Sequence, residues 1–302
     1  MRVLLGYDGS AGAEQAVALL LSLRWPAGTT VRVISALEPT SALVPAPLPG
    51  AGLVMSPDIE AEIRRVLESD VENVVDRLGQ AGLDAAGAVL YGRPATVLAD
   101  EARDVGADLI VVGSRGHGPI ASLVLGSVSA ELVDHAPSPV LVVRRTTADR
   151  VLFATDGSPS ALGAERLLTT WPIFESAAIR VVSVADVPRP WHTGVAPTMV
   201  MQVTDAYAKD LERAKHDHEA LARETSARLE AADRRVDSTL RVGDAAAEIV
   251  EEAAAWSADL VVLGSRGLTG VSRFVLGSVA RNVLQGTQSS VLIVRESGSA
   301  PT

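Results

Sequence analysis

The ten residues from Ala107, ADLIVVGSRG, return at Ala258 as ADLVVLGSRG, identical at 8 of 10 positions and differing where Ile110 becomes Val261 and Val112 becomes Leu263. VLGSV at 124–128 recurs unchanged at 275–279, and PVLVVR at 139–144 becomes SVLIVR at 290–295. Matches this dense mark a tandem duplication. The 302 residues must therefore fold as two similar domains, expected at 1–147 and 148–297. Asp8 maps to Asp156 at a separation of 148, and Gly113 to Gly264 at 151. The three extra residues fall in between, where loops and helix ends tolerate insertion.

Each half reads as β-α-β-α-β-α-β-α-β. In the first, Val3 to Tyr7 is a short apolar strand that stops at the turn cluster Asp8-Gly9-Ser10, and Ala13 to Leu23 has helical periodicity. Val31 to Leu37 is a second strand. Glu38 to Pro57 holds five prolines and is expected to be a long loop of the kind that forms lids. A polar helix from Asp58 to Gln80 stops near Gly82, a strand runs from Ala85 to Tyr91, and a helix continues from Pro94 through Arg103. Asp108 to Val112 is a buried strand leading straight into Gly113. Ser127 is placed to cap a helix through His135, and Val140 to Val143 closes the half. Strands alternating with helices imply a parallel sheet covered on both faces. The interior suits it, since hydrophobic residues make up 47% of the chain and aromatics only 3%.

Composition also excludes. A net charge of −10 opposes general affinity for nucleic acid or anionic membrane, and the absence of cysteine removes thiolate chemistry and disulfides. The start, MRVLLGYDGS, meets an acidic residue too early for a secretory signal, and no apolar run approaches a membrane span; the expected location is the cytoplasm.

The pattern with chemical content is Gly113, Gly116, Gly126 and Ser127, repeated at Gly264, Gly267, Gly277 and Ser278. Glycine permits positive φ and lets backbone N–H groups approach a ligand, and a helix start offers unpaired donors at a positive dipole end. That combination reads as a phosphate cradle, with Arg115 and Arg266 as further donors. Asp8 and Asp156 repel phosphate; they suit ribose hydroxyls, or a Mg²⁺ carried by the phosphates. The plainer readings are tight strand-to-helix turns for the glycines and helix capping for the DGS aspartates. A P-loop is missing, as is any lysine in the first half, and Gly6, Gly9 and Gly12 do not survive in the second half as a dinucleotide fingerprint.

The pattern G-x2-G-x9-G-S after a fourth strand, with an aspartate ending the first, resembles the ATP-binding type of the universal stress protein family, in two tandem copies. The resemblance implies two doubly wound five-stranded parallel sheets of order 3-2-1-4-5, a Rossmann-like α/β fold, each with ATP at the first and fourth strand ends. Carried over by position, the phosphate residues are Gly113, Arg115, Gly116, Gly126, Ser127 and then Gly264, Arg266, Gly267, Gly277, Ser278. Ala36 and Val184 take the adenine-contacting place, and Asp8 and Asp156 the ribose side. Val128-Ser129 follows the first serine and Val279-Ala280 the second; family members often carry a hydroxyl at the latter place, so the second site is expected to hold phosphate less well. Last-strand pairing, Val140–Val143 with Val291–Val294, is implied within the chain, with a homodimer allowed. The implied role is a stress-response regulator whose nucleotide occupancy alters loops and partner contacts. The rivals are a slow Mg-dependent ATPase or phosphotransferase and a module that has lost nucleotide.

His117 becomes Leu268 in the second half, which argues against a shared catalytic role. His216 and His218 lie two apart on a helix amid charged residues and are expected on a solvated surface. Trp191-His192, in a proline-rich loop, is a candidate to close over the second base and equally an interface or surface patch.

Overall fold

The computed structural model describes residues 1–38, 57–116, 125–187, 197–267 and 276–295, arranged as two units, Met1–Thr146 and Thr147–Thr302. In unit 1 the order is β1 (Arg2–Gly6), α1 (Ala11–Ser22), β2 (Thr30–Leu37), α2 (Pro57–Gln80), β3 (Asp84–Tyr91), α3 (Pro94–Asp104), β4 (Leu109–Gly113), α4 (Ser127–His135) and β5 (Val140–Val143). Unit 2 repeats it with β6 (Arg150–Ala154), α5 (Pro159–Thr170), β7 (Ala178–Ala185), α6 (Pro197–Glu230), β8 (Arg235–Val242), α7 (Ala245–Ala255), β9 (Leu260–Gly264), α8 (Ser278–Gly286) and β10 (Ser290–Val294). A single 3-10 turn at Pro172–Phe174 is added after α5.

All strand pairs within each unit are parallel, in the order β3-β2-β1-β4-β5 and β8-β7-β6-β9-β10. The parallel sheet expected from alternation, in the order 3-2-1-4-5 that the resemblance implies, is thus present twice. Burial follows position: β4 reads buried at four of its five residues and β9 does the same, whereas edge strand β3 buries one of eight. Central parallel strands are covered on both faces and need continuous apolar runs. The cores fill with Leu4, Leu5, Ile110 and Leu132 in unit 1, and Phe153 and Leu152 in unit 2, all nearly inaccessible to solvent.

One packing contact fixes the geometry at the strand ends. A β-carbon added at Gly113 would lie 2.8 Å from the backbone nitrogen of Ala13, and one at Gly264 would lie 2.8 Å from that of Ala161. The first turn of α1, and of α5, therefore packs against the end of the fourth strand of its own unit with no room for a side chain. Nearby, Arg77 of α2 and the Tyr7 hydroxyl both donate to Glu14 of α1, at 3.1 and 2.6 Å. These bonds, Arg77's above all, hold the Glu14 carboxyl below the usual carboxylate range despite partial burial.

Gly113→Ala should cost about 1–3 kcal/mol through overpacking. Gly79→Ala, in α2 with no heavy atom within 4 Å of the added carbon, should be neutral or gain up to about 1 kcal/mol. Urea melting of both variants checks the contrast, and equal effects would contradict the close approach. Because the folded pKa of Glu14 is depressed, its pairing stabilises above the unfolded value of about 4.3 and is lost as pH falls through the folded value. Glu14→Gln should lower the melting temperature at pH 7, by an amount that shrinks toward zero below about pH 4. A deficit independent of pH would argue against an ionic role.

Candidate functional site

β1 hydrogen-bonds β2 on one side and β4 on the other, and β6 stands likewise between β7 and β9. The winding reverses at these strands, so a crevice opens beyond their carboxyl ends. Asp8 and Gly113 flank it in unit 1, Asp156 and Gly264 in unit 2.

The two DGS turns are built alike. Asp8 Oδ1 accepts the Ser10 backbone N–H at 3.0 Å, and Asp156 Oδ1 accepts that of Ser158 at 3.0 Å. Helix capping falls to the serines: Ser10 Oγ accepts from Ala13 N and Ser158 Oγ from Ala161 N. The same hydroxyls donate across the crevice to the carbonyls of Arg115, at 3.1 Å, and Arg266, at 3.0 Å. Capping thus does not account for the aspartates. Their second oxygens lie where a β-carbon at Gly116 would be 2.6 Å from Asp8 Oδ2, and one at Gly267 2.8 Å from Asp156 Oδ2. A carboxylate and a glycine loop about a hundred residues apart in sequence meet in each unit.

The glycines differ in their reasons. Gly9 and Gly157 occupy the left-handed region at φ +76° and +75°, as their turns require. None of Gly113, Gly116, Gly126, Gly264, Gly267 and Gly277 has positive φ. Of the two reasons for glycine, positive φ thus does not apply to the motif, and close approach does: backbone or carboxylate lies against each of them.

The helix starts bring a correction. Gly126 and Gly277 are the N-caps of α4 and α8, and Ser127 and Ser278 are the first helical residues rather than the caps. Gly126 N donates to Ser114 O at 2.9 Å and Gly277 N to Ser265 O at 2.8 Å, folding each helix start back onto the strand end. Neither helix has a side-chain cap, so the first-turn N–H groups are not met by one. Ser129, 3% exposed, donates to the Gly113 carbonyl at 2.7 Å. Its one proton braces the loop and is not offered to an anion, so Ala280 lacks a brace rather than a phosphate donor. In unit 1 Arg115 and Ser127 are exposed and Val128 is half-buried. Burial, with Arg115 nearby, pulls the Arg144 guanidinium down to about 10, which leaves it charged at neutral pH.

In unit 2 these groups line a cavity of about 650 Å³. Gly264, Arg266, Gly267, Gly277, Ser278 and Val279 form its β9–α8 side; Asp156 and Thr155 its floor; Val184, Asp186 and His218 its β7 side. The apolar wall includes Ile249 and Leu263. Ala36, half-buried on β2, holds the place in unit 1 that Val184 holds in unit 2. His218 is a correction. Where charged neighbours suggested a solvated residue, its Nδ1 lies 2.8 Å from Ser183 Oγ and its ring faces the cavity, while His216 is exposed. The signal available in the sequence was periodicity: Ala222, Thr225 and Leu229 are buried at steps of three and four, and His218 is one turn earlier on that stripe.

His117, Leu268, residues 39–56 of the proline-rich loop, and 188–196 with Trp191-His192 lie outside the described residues. Among the described residues no three or more His, Asp or Glu cluster as metal ligands, and no helix is long and apolar enough to cross a membrane.

The chain matches the model of the universal stress protein family twice, over residues 1–144 and 147–295. It is similar to a universal stress protein of Thermus aquaticus, 36% identical over 143 residues that cover 47% of this chain and 97% of that one. A universal stress protein of Mycobacterium tuberculosis is 29% identical over 314 residues, covering 97% of this chain and 94% of the relative. Among solved structures, a universal stress protein from Archaeoglobus fulgidus superposes with a TM-score of 0.67 at 18% identity, covering 98% of both chains. Two successive units with one topology, each closing a glycine loop on a strand-end aspartate, are thus accounted for: the chain belongs to the universal stress protein family and carries its domain in tandem.

Proposed function

We propose that this protein is an ATP-binding regulator with one adenine-nucleotide site in each unit, whose occupancy is read by protein partners in a stress response. The observation that carries this reading is the cavity of unit 2, whose two sides differ in chemistry. One side ends at the uncapped start of α8, where backbone N–H groups and the helix dipole favour an anion. The other is walled by Val184 and Ile249 and suits a flat apolar ring. Asp156, which accepts and cannot donate when ionised, stands between them and would take ribose hydroxyls. A volume of about 650 Å³ falls in the range of small-molecule sites. A Mg²⁺ bound to the phosphates would neutralise charge near Asp8 and Asp156.

Support for a matching site in unit 1 is the repeated placement of Asp8 against Gly116 and of Gly126 at the start of α4. Gly116 and Gly267 touch a carboxylate, not a backbone, so a methyl there displaces the aspartate without breaking the core.

Isothermal titration of the full chain should show two ATP equivalents, falling to one in Gly116→Ala and one in Gly267→Ala, with each affected site weakened about tenfold or more and the melting temperature near wild type. Absence of ATP binding to the purified wild-type chain would sink the reading.

A further inference from the structure

His218 is placed by a chain of two hydrogen bonds. Ser183 of β7 is fully buried and donates its hydroxyl proton to the Thr155 carbonyl at 2.9 Å. A carbonyl can only accept, so that proton is committed, and the 2.8 Å contact between Ser183 Oγ and His218 Nδ1 is satisfied when Nδ1 carries the hydrogen. A neutral imidazole has one N–H, which leaves Nε2 as the ring's acceptor. The side chain lines the β7 side of the cavity, across β6 from the α8 start.

The matching residue in unit 1 is Leu67. Helices α2 and α6 align with a separation of 151, because Leu78 and Leu229 are both 0% exposed and Val71 and Ala222 are 3% and 2% exposed. The same alignment puts Asp70 beside Gly9 where Leu221 lies beside Gly157. Ser35 of β2, 2% exposed, occupies the Ser183 place, so unit 1 keeps the serine and lacks the histidine. Tyr7, tied to Glu14, stands where unit 2 has Thr155. The two crevices thus share the aspartate, the motif glycines and the uncapped helix start, and the histidine on the opposite side belongs to unit 2.

We infer that His218 reads the base in unit 2: its Nε2 accepts a hydrogen from an exocyclic amino group and disfavours a carbonyl at that place, a discrimination unit 1 lacks. The inference rests on the nucleotide-binding reading and assigns the specificity of one site. Asp186 is a second acceptor on the same side of the cavity. Its counterpart Glu38 is also a carboxylate, so Asp186 does not account for a difference between the units. His218 does.

The test uses the full chain with Gly116→Val, which obstructs the unit 1 crevice, and titrates it with ATP and with ITP, nucleotides that differ by a 6-amino against a 6-oxo group. ATP should bind about fivefold tighter than ITP, the contribution of one hydrogen bond. His218→Leu should bring the two within about twofold by weakening ATP alone. Nitrogen NMR of the wild-type chain should find His218 protonated at Nδ1 and not at Nε2 when neutral, with Nε2 shifting on ATP addition. That measurement stands even where His218→Leu fails to fold. ATP bound with an unchanged ATP/ITP ratio in His218→Leu overturns the inference and leaves the nucleotide reading intact, as does an Nε2–H tautomer. No ATP bound by the wild-type chain removes both.

Discussion

The contact of a helix start against the end of the fourth strand governs the rest of each unit. Gly113 lies against Gly12 and Ala13, and Gly264 against Ser160 and Ala161, with no space for a β-carbon. That approach brings the DGS turn and the glycine loop within hydrogen-bonding distance. Ser10 can then cap α1 and still donate to the Arg115 carbonyl, and Ser158 does the same with Arg266. The aspartate is left with one oxygen in its own turn and the other against the glycine loop. Interiors at crystal-like density tolerate no added methyl in such a place, so the glycines follow from packing before any ligand is considered.

Duplication supplies an internal control for that account. Where unit 1 has Gly12, unit 2 has Ser160, and its hydroxyl bonds the Arg266 carbonyl. The contact survives because the added side chain is small and carries a donor for the group it meets. Where unit 1 has Ser129 bracing the Gly113 carbonyl, unit 2 has Ala280, and the helix start keeps its Gly277-to-Ser265 bond. Features present in both units are those the crevice needs. Of the features that differ, Gly12 against Ser160 and Ser129 against Ala280 fall on the loop side and leave it intact, while Leu67 against His218 falls on the opposite side, where a ligand's identity rather than its anchoring would be read.

The sequence made the architecture legible because its signals are local. Apolar runs of five residues ending at Gly or Asp, and helices delimited by Ser10, Pro94 and Gly82, identify elements without knowledge of their neighbours. β1, α2 and β4 accordingly lie within two residues of where periodicity puts them. Where the structure departs from the local pattern, the residue's partner is distant in sequence. Ser127 looked like a cap because serine prefers that place, yet the chain folds back at Gly126 to reach Ser114. His218 looked solvated because Asp217 and Glu219 flank it, although the face it shares with Ala222 is set by the docking of α6 on β7.

Two repeated α/β units, their strand order through the family resemblance, and a glycine–serine pattern suited to an anion are legible in the linear chain, because spacing, capping and repetition are properties of a few neighbouring residues. Tertiary contacts alone explain why the motif glycines are glycines, why Ser10 and Ser158 rather than the aspartates cap, and why His218 faces a cavity. Those outcomes depend on which backbone atoms approach within 3 Å and which proton a buried hydroxyl has already given away, and such facts exist only once the sheet has brought distant segments together.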